Sequence, residues 1–274
     1  MFEALLTYGF LRHAVLGAVL ASVACGIIGV IIVEKKLVMM SGGIAHTAFG
    51  GIGLSYLLGF EPMIGALVFS AGASAVIATV KRKNQANPDI LIGLFWSVGM
   101  ALGILFIALM PGYPPDMTSY LFGDILTIST TDLWMMVILD GLIVVTVAAL
   151  YMSIKAFLFD EEFARVLRLP ARFLEYLIYL LIALTVVVLI RVAGIILIIC
   201  LLSVPPAIAR LISYDLKKMM GISVGVTVLL CLLGLWISYA LNIASGASIV
   251  LLTGVCYGVV LIVQGVRRRI TQKG

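Results

Sequence analysis

The sequence predicts an all-α polytopic membrane protein with about nine transmembrane helices. Three observations predict it. Of the 274 residues, 63% are apolar and only 11% are charged, whereas a soluble domain carries about 25% charge. The apolar residues gather into stretches of about 20, the length that crosses roughly 30 Å of hydrocarbon. The lysines and arginines fall between those stretches, on every second connection. A chain with so little polar surface cannot be covered as a soluble enzyme. Disorder needs the opposite composition, low hydrophobicity with high charge.

The spans, in order, are 14–33, 37–59, 62–80, 90–110, 133–154, 173–190, 192–212, 219–241 and 246–265. Lys35–Lys36 separates the first from the glycine-rich second, and Lys81–Arg82–Lys83 closes the third. Asp89 reads as a cap or interfacial acid at the start of the fourth. Residues 111–132 are too polar to span, although an apolar patch runs from Tyr120 to Leu126. The fifth span runs into Lys155. The run 173–212 is interrupted only by Arg191, where the sixth and seventh spans divide; a different split there, or use of the 120–126 patch, gives eight or ten spans. The last two flank the glycine- and asparagine-bearing turn near 242–246.

Of the eighteen basic residues, only Arg12 and Arg191 lie outside the connections at 35–36, 81–83, 155–172, 210–218 and 267–273. With nine spans those connections share one face, and basic connections mark the cytoplasmic side. The expected topology therefore has the N-terminus outside and the C-terminus inside, in a plasma (inner) membrane. No connection is long enough for a soluble domain, so residues 1–274 form a single transmembrane domain. The net charge of +5 belongs to these connections and indicates no nucleic acid.

Signatures for ATP binding and metalloproteolysis are missing. There is no G-x-x-x-x-G-K-[ST] to cradle ATP and no H-E-x-x-H, and the only two histidines, His13 and His46, allow no Ser–His–Asp set. Cys25, Cys200, Cys231 and Cys256 sit in apolar runs without a C-x-x-C pair and read as small buried hydrophobes. Asp140 and Arg191 are the intramembrane charges; ion-coupled carriers use more, so the energy is expected from another subunit. Asp140 is expected to hydrogen-bond within the bundle.

Three segments carry more information. In the second span, Gly42, Gly43, Gly50, Gly51, Gly53 and Gly59 permit close helix approach, either within the chain or between two copies across an axis. His46, ten residues from Lys36, lies about 15 Å into the membrane by helical rise. It reads as a packing residue or as a metal ligand. In the cytoplasmic stretch at about 160–169, Asp160 can cap a short helix with Glu161 and Glu162 in its first turn and Arg165 and Arg168 later. Phe163, Val166 and Leu167 form an apolar strip that fits either a soluble partner or the lipid surface. Pro205 and Pro206 are expected to kink the seventh span. Asp124 reads as a loop cap or part of an outer vestibule.

Together these segments resemble the membrane permease subunits of ATP-binding-cassette importers for zinc, manganese and iron(II). The resemblance runs in order through SGGIAHTAFGGIGLSYLLG, PDILIGLFWSVGMALGILF, SYLFGDILTIS, FDEEFARVLRLP, RVAGIILIICLLSVPPAIARLIS and GLWISYALNIASGASIVLL. It implies a type II importer bundle that is not itself an enzyme and binds no cofactor of its own. Two copies of the chain would surround a central pathway for a divalent transition metal. A cytoplasmic ATPase dimer would hold the ATP, and an extracellular or periplasmic metal-binding protein would deliver the ion. His46 matches the histidine of the family's metal path, but Gly42 stands where the family has an aspartate. Glu162, Phe163, Ala164 and Arg165, with Leu169, match the ATPase-contacting helix, and Arg168 replaces its usual glycine. The alternatives are an ABC permease for a metal chelate or cobalamin-like ligand, a stand-alone secondary carrier, and an intramembrane enzyme.

Overall fold

The computed structural model describes residues 9–83, 87–112, 120, 121, 123 and 125–271. Among these residues the chain forms only helices: α1 (Gly9–Glu34), α2 (Val38–Leu58), α3 (Pro62–Lys83), α4 (Pro88–Ala108), α5 (Thr130–Ala149), α6 (Tyr151–Phe159), α7 (Glu161–Val166), α8 (Ala171–Ile212), α9 (Leu216–Leu241) and α10 (Ser245–Thr271). A single 3-10 turn, Ile125–Thr127, precedes α5.

Local chemistry explains the helix starts. Asn87, rather than Asp89, caps α4 by accepting from the Asp89 amide at 3.0 Å. Ser129 and Asp132 make a reciprocal capping box at α5, and Asp215 accepts from the Lys218 amide at α9. Such caps satisfy amides that the first helical turn leaves unpaired.

Seven of the described helices, α1, α3, α4, α5, α8, α9 and α10, are long and apolar enough to cross a membrane. Helix α2, with 21 residues, is also long enough at about 1.5 Å per residue; its glycines and His46 dilute its apolar character. Helix α8 has 42 residues, about twice the span of a hydrocarbon core. It is two helices joined at Gly194, whose φ of 72° and ψ of 161° are non-helical.

Ion pairs prove that the chain reverses there. Glu175, near the start of α8, pairs with Lys81 at 3.2 Å and Arg82 at 3.0 Å, at the end of α3. Arg191 pairs with Glu61, beside the start of α3, and with Asp132 at the start of α5. Arg210 returns to Glu34 at the end of α1. The two halves of α8 therefore run in opposite directions, and counting them separately with α2 gives nine spans among the described residues. Arg191 sits at the membrane face opposite the basic connections, not in the interior, and the division falls three residues beyond it.

The tandem prolines do not break their helix. Gly194 is the one non-helical position within α8, and Pro205 and Pro206 are both buried. Pro206 cannot donate to the Leu202 carbonyl. Gly29 of α1 packs against that oxygen, so closely that a methyl group on Gly29 would lie 2.7 Å from it. The reversal of α8 thus falls at Gly194, and the carbonyl freed by Pro206 is covered by Gly29.

The core is built on α1, α2 and α8, whose residues are mostly buried. Helices α4 and α10 lie at the periphery, with Ile90, Leu94, Ile104, Leu251 and Ile262 facing outward. That exposure suits hydrocarbon, in which these side chains need no cover.

Candidate functional site

Helix α2 is the centre of the candidate site. Its glycines are consumed by neighbours in the same chain. A side chain at Gly50 would meet the Gly99 carbonyl at 2.9 Å, and one at Gly53 the Gly103 carbonyl at 2.6 Å, both on α4. Gly51 faces the Gly65 backbone of α3. Thr47 adds a hydrogen bond across to the Phe95 carbonyl at 3.2 Å. Close packing therefore fixes α2 between α3 and α4, and these glycines do not join two copies of the chain.

His46 lies midway along this helix. Its ring stacks on Trp96 of α4, with centroids 4.2 Å apart and planes 22° apart. The indole fixes the ring plane, and Nδ1 is buried with no hydrogen-bond partner among the described residues. A buried imidazole nitrogen without a partner is rare, and neutral imidazole is a good ligand for transition metals. The same indole explains Gly42. A side chain at position 42 would begin 2.6 Å from the Trp96 ring, so Trp96 fills the space that a carboxylate would need. Among the described residues no group of three or more His, Cys, Asp or Glu is gathered to hold a metal.

At the far end of α2, the Tyr56 and Tyr120 hydroxyls are 2.8 Å apart. Asp124, the candidate for an outer vestibule, lies outside the described residues. His13 contacts the Ile128 carbonyl at 3.3 Å. Asp140 is buried in α5, and among the described residues neither carboxylate oxygen has a hydrogen-bond partner, contrary to the hydrogen bond expected for it. The segment GISVG at 221–225 fits G-x-S-x-G, but it lies inside α9 with Ser223 buried. It lacks the strand-to-helix elbow that makes such a serine a nucleophile.

The second part of the site is α7, on the basic face. Asp160 accepts from the amides of Glu162 at 2.8 Å and Phe163 at 3.1 Å. Ala164 is fully buried, anchoring the helix, while Phe163, Val166 and Leu167 are 54%, 77% and 51% exposed. The apolar strip thus points away from the protein. Glu162 is exposed, and Arg165 is held by Glu161 in an i,i+4 pair at 2.6 Å.

The turn after α7 resolves the Arg168 substitution. The Arg168 amide donates to the Arg165 carbonyl and the Leu169 amide to the Ala164 carbonyl, the two bonds of a Schellman motif. Arg168 takes the left-handed conformation, φ 54°, which glycine adopts without strain. The turn is kept and the arginine carries the strain. Leu169 packs partly buried against the core and Pro170 prevents continuation.

Comparison with known proteins agrees with this architecture. Residues 7–264 match the model of the ABC 3 transport family. The chain is 43% identical over 252 residues to the "Uncharacterized membrane protein slr2045" of Synechocystis sp., covering 92% of this chain and 90% of the relative. It is 33% identical to the manganese transport system membrane protein MntC of Listeria innocua, covering 93% and 91%. The solved structure of PsaBC from Streptococcus pneumoniae in complex with Fab superimposes with a TM-score of 0.85 at 30% identity, covering 94% of this chain and 93% of that one.

Proposed function

The chain belongs to the ABC 3 transport family, and from that premise we propose how it carries its cargo. It is the transmembrane permease subunit of an ATP-binding-cassette importer for a divalent transition metal, a transport subunit rather than an enzyme. ATP is hydrolysed on a separate partner subunit. The Listeria relative's name as a manganese transport system membrane protein favours manganese over zinc or iron.

Our reading of the pathway starts from His46. Its buried, unpartnered Nδ1 is the observation that carries it. One protomer offers one imidazole at this depth, so a site with more protein ligands needs a second copy, and we place the pathway in a homodimer. The ion would be held weakly there, because Trp96 excludes a carboxylate at Gly42. Weak holding suits transport, since an ion must leave as readily as it enters. An extracellular or periplasmic metal-binding protein supplies the ion, and the N-terminus lies outside. Glu162, Phe163, Ala164, Arg165 and Leu169 transmit the ATPase movement through α7.

The test is to purify the chain with its ATPase, reconstitute it, and measure which ion, with its binding protein, stimulates ATP hydrolysis and enters the vesicle. His46→Ala is expected to abolish most ion uptake with assembly of the complex unchanged. Uptake at the wild-type rate by His46→Ala would reduce His46 to a packing residue.

A further inference from the structure

Two cavities meet at Lys36. The first, about 460 Å³, is lined by Val33, Lys36, Val38, Met39, Ser203, Val204, Ala207 and Tyr257. It is an apolar groove between the α1–α2 corner, the second half of α8 and α10. The second, about 180 Å³, is lined by residues that include Lys35, Lys36, Lys81, Asp89 and Tyr179. Met39 as well as Lys36 belongs to both.

The smaller cavity is strongly basic, with three lysines against the one carboxylate of Asp89 in its lining. Lys36 is held in the left-handed conformation, φ 57°, which turns the chain sharply and sets two successive lysines at this corner. Among the described residues neither Lys35 nor Lys36 has a carboxylate within ion-pair distance. The Lys35 ammonium instead lies 3.7 Å above the Phe157 ring. Burial pulls it below the ordinary lysine range. Lys81 is the exception, being shared with Glu175.

Neither cavity is used by the transport reading above. A cation passing His46 gains nothing from a lysine cluster. A soluble partner could satisfy the lysines but has no tail to fill a groove between spans. The combination matches a molecule with one anionic head and a hydrocarbon chain. Basic pockets between helices on the cytoplasmic side hold acidic lipid headgroups in just this way.

We propose that the lysine corner and the groove together form a binding site for one anionic phospholipid, with its phosphate among Lys35, Lys36 and Lys81 and an acyl chain along Met39, Val204 and Ala207. A zwitterionic lipid of the same chain length fits the groove but brings its own cation to the lysines, so the site discriminates by headgroup charge.

The experiment uses the full chain, delipidated in detergent and titrated with phosphatidylglycerol or phosphatidylcholine of matched chains, with bound lipid counted by native mass spectrometry. One phosphatidylglycerol is expected to bind in preference to phosphatidylcholine. Lys35→Gln with Lys36→Gln should weaken that binding roughly thirtyfold, from about fivefold per surface lysine, and leave phosphatidylcholine unchanged. Ala207→Phe, which fills the groove, should weaken both lipids. Lys217→Gln with Lys218→Gln, in the lining of neither cavity, should change neither. Full phosphatidylglycerol binding by the lysine variant overturns the proposal. So does displacement of the lipid by glycerol phosphate at equal concentration, which would mark a site for free phosphate. Displacement by the purified ATPase would mark a protein contact instead, and would overturn it equally.

Discussion

Trp96 decides what position 42 can be. Its ring faces Gly42 and stacks on His46, one turn apart on the same helix. Adding a carboxylate at 42 forces the indole off the imidazole, and overpacking of this kind costs about 1–3 kcal/mol. Gly42→Asp should therefore lower stability in detergent by that order. In the double variant with Trp96→Ala the two effects should fall short of their sum by about 1 kcal/mol or more, because the residues touch. Strict additivity in thermal unfolding would show that Trp96 does not hold this space. Arg168 shows the complementary case, in which the backbone conformation was kept although its usual residue was not.

Two elements translate these residues into movement and topology. Helix α7 is only six residues long, but its cap, its buried Ala164 and its Schellman turn hold it rigidly while the Phe163 face stays open. An aromatic anchor seated in a partner's pocket commonly contributes about 2 kcal/mol or more, about thirtyfold in affinity. Phe163→Ala should release the ATPase or uncouple hydrolysis from transport without altering the spans. Arg165→Glu should weaken docking in a more salt-dependent manner, because exposed charges are screened. Normal copurification and normal metal-stimulated turnover in both variants would make α7 a lipid-surface element. The hinge of α8 rests on Gly194. Its φ and ψ lie in a region that is essentially glycine-only, and such strain costs on the order of 1–3 kcal/mol. The backbone of Gly123 also presses on Ala193 and Gly194. Gly194→Ala should lower the unfolding temperature markedly, whereas Gly141→Ala, where a methyl group meets open space, should not.

At the scale of the whole molecule, ion pairs fix which ends share a face. Lys81, Arg82, Glu175, Arg210 and Glu34 gather at one, and Glu61, Asp132 and Arg191 at the other. By the basic-connection rule the first face is expected to be the cytoplasmic one. A cysteine introduced by Lys83→Cys should resist an impermeant thiol reagent applied to intact cells, and one introduced by Glu61→Cys should react. Cys25 and Cys231 are buried but Cys200 and Cys256 are half-buried, so labelling is read against the chain without the introduced cysteine. Ready labelling at 83 would invert the proposed orientation.

What the linear sequence determined was whatever the membrane enforces residue by residue. A span must satisfy its own backbone and hide few charges, so composition and the spacing of Lys35, Lys81, Lys155, Arg210 and Arg267 were enough for the helices and their alternation. The Asp160 cap and the apolar strip of α7 were equally legible, because capping acts within one turn. Tertiary structure alone decided the rest. Gly194 looks like any glycine in an apolar run, and Arg191 points to the reversal only once its partners Glu61 and Asp132 are known. Pro206 leaves the Leu202 carbonyl without its helical donor, and only the folded chain shows Gly29 packed against that oxygen. Asp140 suggests a hydrogen bond, but among the described residues neither of its oxygens has a partner. The glycines of α2 could have joined two copies, yet they join α2 to α3 and α4. In each case the deciding atom comes from a distant part of the chain, and local propensity carries no record of which side chain or carbonyl will arrive there.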